Sequence, residues 1–160
     1  MTTPRFGDPR DPSRRYRRRP GAYAVLFRAG RVLLTHQSQP IPEFQLPGGG
    51  IDAGEAPLPA LAREVFEETG WSIGPARRLG CYRRFTYMPE YDLWAEKLCT
   101  IYLARPVRSV AAPLEADHTA HWVPMAQAAA LVGSPGDAVF LRALAGDQQA
   151  RRAVRTALSF

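Results

Sequence analysis

Gly48 to Trp71 reads GGGIDAGEAPLPALAREVFEETGW, a loop that turns into a helix. Four of the seven residues from Gly48 to Gly54 are glycine, so the backbone there can take positive φ and bring its amides and carbonyls against a ligand. Pro57 and Pro59 suit a helix N-terminus, where a missing N–H costs little. Ala60 to Thr69 is expected as helix, with Gly70 as its C′ stop. Glu64, Glu67 and Glu68 are spaced i, i+3, i+4 and share one helical face, where like charges repel. They also fall in the last turns, where the macrodipole disfavours negative charge. A divalent cation would turn this repulsion into coordination, and an all-oxygen set suits Mg²⁺ or Mn²⁺. Leu61 and Val65 lie on the other side, facing a core, and Leu58 is left open. Arg63, eight residues after Glu55, is placed to pair with it and tie loop to helix. On spacing alone, the alternative is a solvated acidic helix face.

The order Gly49, five residues, Glu55, seven residues, Arg63-Glu64-Val65, one residue, Glu67-Glu68, one residue, Gly70-Trp71 resembles the Nudix box of the Nudix hydrolases. Trp71 is the one departure, standing where the family usually has an aliphatic residue, which implies a packing difference. With the flanking segments the resemblance covers roughly residues 20–145. Strands mixed with a few helices, without regular βα alternation, suggest an α+β fold or a mixed-sheet sandwich. The resemblance selects the second, an α/β (α+β) fold of the Nudix α/β/α sandwich type with a mixed β-sheet.

The chemistry that the resemblance implies is Mg²⁺-dependent hydrolysis of a pyrophosphate bond in a nucleoside diphosphate linked to another moiety, with Mn²⁺ as a substitute. By the same resemblance Glu67 and Glu68, then Glu64, are metal ligands, the Gly48 carbonyl is a backbone ligand, and Arg63 with Glu55 orients them. The general base in the family is a box glutamate or a carboxylate from a later loop. Glu115 is the first candidate for that later carboxylate and Glu96 the second. His118 is either a proton acceptor or a loop-ordering hydrogen-bond partner.

Upstream, Gly21–Arg28 and Arg31–Thr35 are β-rich runs flanking Ala29-Gly30 and read as a hairpin. Phe44 stands where Nudix proteins often carry Trp, and is a candidate substrate contact. Downstream, Leu79–Met88 and Trp94–Arg105 read as two long strands around a turn at Pro89–Asp92. Tyr82, Phe85, Tyr87, Tyr91 and Trp94 are either core and cross-strand packing or, for one or two, a surface for a nucleobase. Arg83 and Arg84 alternate faces, and one of them could reach a phosphate. Arg84 and Tyr87 are the substrate-binding candidates here. Tyr87 lies close to where some dinucleoside-polyphosphate hydrolases of the family carry a tyrosine. Residues 106–118 read as a long loop, 120–123 as a short strand, 124–132 as a helix, and Asp137 as the cap of a last helix that resumes after Gly146.

A length of 160 residues implies one domain with a single sizeable core. No apolar run approaches 18 residues, so no membrane-spanning helix is expected. Cys81 and Cys99 lack zinc-type spacing and are expected as reduced thiols, in keeping with a cytoplasmic protein. Residues 1–20 hold seven arginines and two aspartates, a net +5 of the chain's +6, so the remainder is close to neutral. Residues 1–19 are accordingly set apart as an Arg-rich, flexible arm, and 20–160 as the folded domain. The arm either solubilises or binds phosphates, RNA or an acidic partner. The expected partner is a small-molecule nucleotide; RNA is a less favoured one, and the protein is a monomer or a homodimer. The competing functions are RNA 5′-end pyrophosphohydrolase and a catalytically silent nucleotide-binding regulatory module. Three mutually repelling box glutamates favour the enzyme, since a sensor has no need of them.

Overall fold

In the computed structural model residues 3–155 are described. Seven strands, β1 (Arg17–Arg28), β2 (Arg31–Gln37), β3 (Glu43–Gln45), β4 (Gly48–Gly50), β5 (Trp71–Met88), β6 (Leu93–Ser109) and β7 (His118–Pro124), form a mixed sheet. Four helices complete the fold: α1 (Pro57–Thr69), α2 (Met125–Leu131), α3 (Pro135–Leu144) and α4 (Gln148–Arg155). The main path runs β3-β2-β1-β6-β5, with β4 added to β1 and β7 to β2. The pairing of β1 with β6 is parallel, and the other pairings are antiparallel.

Alternation along β1 divides the core. Ala22, Ala24 and Leu26 face α1 with Leu61 and Val65, whereas Tyr23 and Val25 face Phe140, Leu141 and Val154 of α3 and α4. Helices thus cover both faces, as an α/β/α sandwich requires. No helix among the described residues is long and apolar enough to cross a membrane. Both cysteines are free thiols.

The hairpin at Ala29-Gly30 is narrower than its sequence suggests. Both turn residues have positive φ, 50° and 75°, as a primed turn needs, but only Phe27–Val32 and Arg28–Arg31 pair across it. Beyond that point β1 takes β4 and β6 as neighbours, and β2 takes β3 and β7. β5 begins at Trp71 rather than near Leu79, because register shifts around Ile73–Ala76 accommodate Pro75 within a paired strand. β6 runs to Ser109, which shortens the expected loop to residues 110–117.

Of residues 1–19, set apart from the sequence as an arm, 17–19 are the first residues of β1 and pair with Ala95, Glu96 and Lys97. Residues 3–16 lie against the β5–β6 side of the sheet. Arg83 N–H donates to the Pro4 carbonyl at 2.8 Å, Tyr16 packs edge-on against Phe85, and the Arg14 guanidinium lies 3.6 Å from the Trp94 ring centre.

Asp137 does not cap α3; Ser134 holds that position. The buried Asp137 carboxylate turns inward, accepting from the Tyr82 hydroxyl at 2.7 Å and from the Leu46 N–H at 3.5 Å. A tyrosine buried from β5 needs a partner for its hydroxyl, and that need overrides the local capping preference. α4 ends the described residues at Arg155, so the helix expected to reach Leu158 lies partly outside them.

Gly70 and Gly30 have nearly the same φ, 72° and 75°. A side chain on Gly30 meets open space, whereas one on Gly70 would fall on the carbonyl of Ala111. Gly30→Ala is therefore expected to cost only the left-handed penalty, about 1–2 kcal/mol. Gly70→Ala should cost at least twice as much, lowering Tm by about 5 °C or more in thermal unfolding. Equal losses would contradict the packing of residues 110–112 on the end of α1.

Candidate active site

The C-terminal turns of α1 leave carbonyls without helical partners, and the loop after β6 supplies the missing donors. Val110 N–H donates to the Gly70 carbonyl at 2.8 Å, while Leu114 and Glu115 N–H donate to the Glu67 carbonyl at 2.8 and 3.3 Å. Residue 115 is thereby fastened one turn from the box glutamates. Oxygen atoms of Glu64, Glu67 and Glu115 lie within 4.8 Å of one another, and so do ligand atoms of Glu68, Glu115 and His118.

Each carboxylate has a different support. Arg63 is the hub: its guanidinium forks onto Glu55 with two 2.9 Å bonds and reaches Glu64 at 2.8 Å, Glu67 at 3.2 Å and the Gly50 carbonyl at 3.2 Å. That bidentate pair holds the Glu55 carboxyl down at about 2. Glu68 is buried, accepts the Gly48 N–H at 3.0 Å, and lies 3.4 Å from His118 Nε2. The other ring nitrogen, Nδ1, lies 2.8 Å from a Glu115 oxygen and is hydrogen-bonded with Asp117 Oδ1 at 3.2 Å. Burial pushes the Glu68 carboxyl well above 4.5, and burial likewise raises Glu64.

Glycine has a steric role at two positions. A Cβ on Gly48 would meet the Ala22 carbonyl, and one on Gly49 would occupy the space of the Glu64 carboxylate. β4 can pair with β1 and still lie under the glutamates only with glycine there.

These groups line a cleft of about 240 Å³ together with Arg19, Tyr23, Tyr91 and Lys97. Of the residues singled out in the sequence, the structure brings Gly48, Glu64, Glu68, Glu115 and His118 to its wall, with Glu67 and Arg63 adjoining through the contacts above. Glu96 is elsewhere, between Arg18 at 3.7 Å and Arg83 at 3.6 Å. Phe44, Arg84 and Tyr87 are not on the cleft wall. Phe44 packs between His36 and His121, Arg84 faces Glu43 at 3.9 Å, and exposed Tyr87 hydrogen-bonds Asp92. Tyr23, Lys97 and Arg19 carry no local signal, since they reach the cleft only through the parallel β1–β6 register. A larger cavity, about 570 Å³ between β5 and α3–α4, has no carboxylate among the described residues of its wall.

Two carboxylates within 4.8 Å of each other repel by about 3 kcal/mol at the effective dielectric near a protein surface. Arg63 contacts only Glu64 and Glu67 of the four, so in the protein alone a proton on Glu68 relieves the cluster. A carboxyl raised above its unfolded value stabilises the fold below about 4.5, and that contribution is lost as pH rises through the folded value. Buried Asp137, also raised by desolvation, acts in the same direction. In EDTA, Tm is therefore expected to fall as pH rises from 5 toward 8, and Glu68→Gln should flatten that fall. Melts that are independent of pH in EDTA would contradict this account of the cluster.

The comparisons with known proteins agree with this geometry. The NUDIX domain family model matches residues 17–144. An RNA pyrophosphohydrolase of Cereibacter sphaeroides is 36% identical over 86 residues, which are 52% of this chain and 51% of that protein. The chain thus spans about half the length of that curated relative. A Streptomyces rubellomurinus protein named CMP-5′-(N-acetyl-N-hydroxy-3-aminopropyl)phosphonate hydrolase is 31% identical over 147 residues, 84% of this chain and 68% of that one. Among solved structures, a NUDIX hydrolase from Nitrosomonas europaea superposes with a TM-score of 0.65 at 20% identity, covering 81% of this chain and 90% of that one, a likeness of fold. With a family match over most of its length and the box carboxylates gathered in one cleft, the chain belongs to the Nudix family.

Proposed function

We propose that the protein hydrolyses the pyrophosphate bond of a nucleoside diphosphate linked to another moiety, using Mg²⁺ or, in its place, Mn²⁺. The observation that carries this reading is the gathering of Glu64, Glu68 and Glu115 on one cleft wall, with Glu67 adjoining, and a cation deficit that Arg63 does not fill. The residues fit a hard divalent ion. The gathered oxygens are carboxylates with the Gly48 backbone on the same wall, no thiol is among the described groups there, and the one imidazole, His118, lies against Glu68, Glu115 and Asp117. Glu67, Glu68 and Glu64 would hold the ion with the Gly48 carbonyl. When bound, it would neutralise pyrophosphate oxygens and acidify a water.

Arg63 keeps Glu64 and Glu67 aimed at the cleft, and Glu55 keeps Arg63 in place. The side chain of Glu115 is 38% exposed, so its carboxylate meets solvent while His118 Nδ1 steadies it. In the proposed reaction a Glu115 oxygen accepts the proton of the attacking water as the water oxygen bonds to phosphorus. The bridging P–O bond breaks, and two phosphate-terminated products leave. The related proteins' names add a substrate range: one acts on a CMP conjugate and another on RNA. The RNA reading has an observation of its own, since Arg19 lines the cleft.

Activity on a panel of nucleotide substrates should require Mg²⁺ or Mn²⁺ and vanish with chelator. Glu67→Gln or Glu68→Gln should lower kcat by several orders of magnitude in a folded protein. Glu115→Gln should lower kcat at least tenfold and remove the acidic limb of the pH–rate profile, whereas Glu96→Gln should do less. Metal-independent turnover, or near-normal rates in both box variants, overturns the proposal. An RNA substrate would show itself by a steep loss of rate with salt.

A further inference from the structure

Lys97 lies on the cleft wall and has no part in the chemistry above. It enters none of the ion pairs among the described residues, although the cleft it faces is rich in carboxylates. Alternation along β6 explains part of this. Glu96, its neighbour, points to the other face and is held by Arg18 and Arg83. The closest companion of Lys97 is Tyr23, with the ammonium 5.5 Å from the ring centre. Burial pushes the Tyr23 phenol up to about 12, so near neutral pH it offers a dipole and no charge. Glu68 and Asp137 feel Lys97 only as a minor influence beside the burial that dominates both. The parallel register sets Arg19 beside Lys97, but the Arg19 guanidinium is stacked 4.7 Å from the ring centre of exposed Tyr91 at the rim.

Lys97 thus carries its charge on the cleft wall with no carboxylate paired to it among the described residues. Opposite it are carboxylates that repel any phosphate lacking a cation of its own. We propose that Lys97 is the anion seat of this cleft, receiving the phosphoryl group adjacent to the one engaged at the carboxylate cluster. The site then takes a diphosphate in preference to a single phosphate. This rests on the hydrolase reading for the identity of the cluster, and, for the seat, on the placement of Lys97 and its lack of a carboxylate partner among the described residues.

The probe is methylenediphosphonate, a diphosphate analogue that cannot be hydrolysed, titrated calorimetrically in saturating Mg²⁺ and compared with methylphosphonate. Lys97→Met should weaken methylenediphosphonate at least tenfold and methylphosphonate little. Lys97→Arg, which keeps the charge, should stay within about threefold of wild type. The Tm of Lys97→Met without ligand should equal or exceed that of wild type, and its Mg²⁺ affinity should be unchanged. With a nucleotide substrate, KM should rise while kcat stays within a few-fold. No binding by wild type, undiminished binding by Lys97→Met, or equal losses for both phosphonates overturns the seat. A Tm drop of several degrees with binding intact also overturns it, showing a structural cation. Hydrolysis by wild type that Lys97→Met leaves untouched removes the seat and keeps the proposed function. Lys97-dependent binding by a wild type that hydrolyses no nucleotide keeps the seat and removes the function.

Discussion

The hydrogen bond from the Gly48 N–H to the buried carboxylate of Glu68, 3.0 Å long, joins the two halves of the box. It ties the strand that carries the glycines to the last turn of the helix that carries the glutamates. Burial makes Glu68 costly as an anion, and one backbone donor does not offset that cost. The surroundings of Glu68 follow from this constraint. His118 approaches from β7 and links it to Glu115, and the glycines let β4 pass beneath the glutamates.

Repulsion among the carboxylates is opposed by two devices of different kinds. Arg63 is electrostatic, a single guanidinium shared among Glu55, Glu64 and Glu67. The second is backbone geometry. Carbonyls at the end of α1 accept from the amides of residues 110–115, so satisfying the helix terminus also delivers Glu115. The loop needs no favourable charge interaction of its own to be held near the box. Stability and the proposed chemistry therefore meet at Gly70, whose left-handed conformation gives the loop room.

The box was legible because its chemistry is local: the spacing of Glu64, Glu67 and Glu68 puts them on one helical face whatever the tertiary fold. The α/β/α sandwich was legible through the family resemblance. Pairing partners were not, since β1 pairs β2 over only two residues and otherwise lies between β4 and β6, and hairpin patterns do not record that. The capping preference placed Asp137 at a helix start, while Tyr82, 55 residues away in sequence, claims its carboxylate. Glu115 and Glu96 were equally plain as acidic residues. Loop position distinguished them in the sequence, and the structure sets Glu115 beside the box glutamates and Glu96 between two arginines. Lys97 and Tyr23 drew no attention because their place in the cleft depends on register across the sheet.

The central claim is that the repelling carboxylates are kept together to hold a divalent cation. A crystal grown with Mn²⁺ and measured for anomalous scattering tests it directly. The account predicts a peak among the carboxylates of Glu64, Glu67 and Glu68, within coordination distance of at least two of them and beside the Gly48 carbonyl. A map with no peak there, at Mn²⁺ concentrations that support turnover, would contradict it.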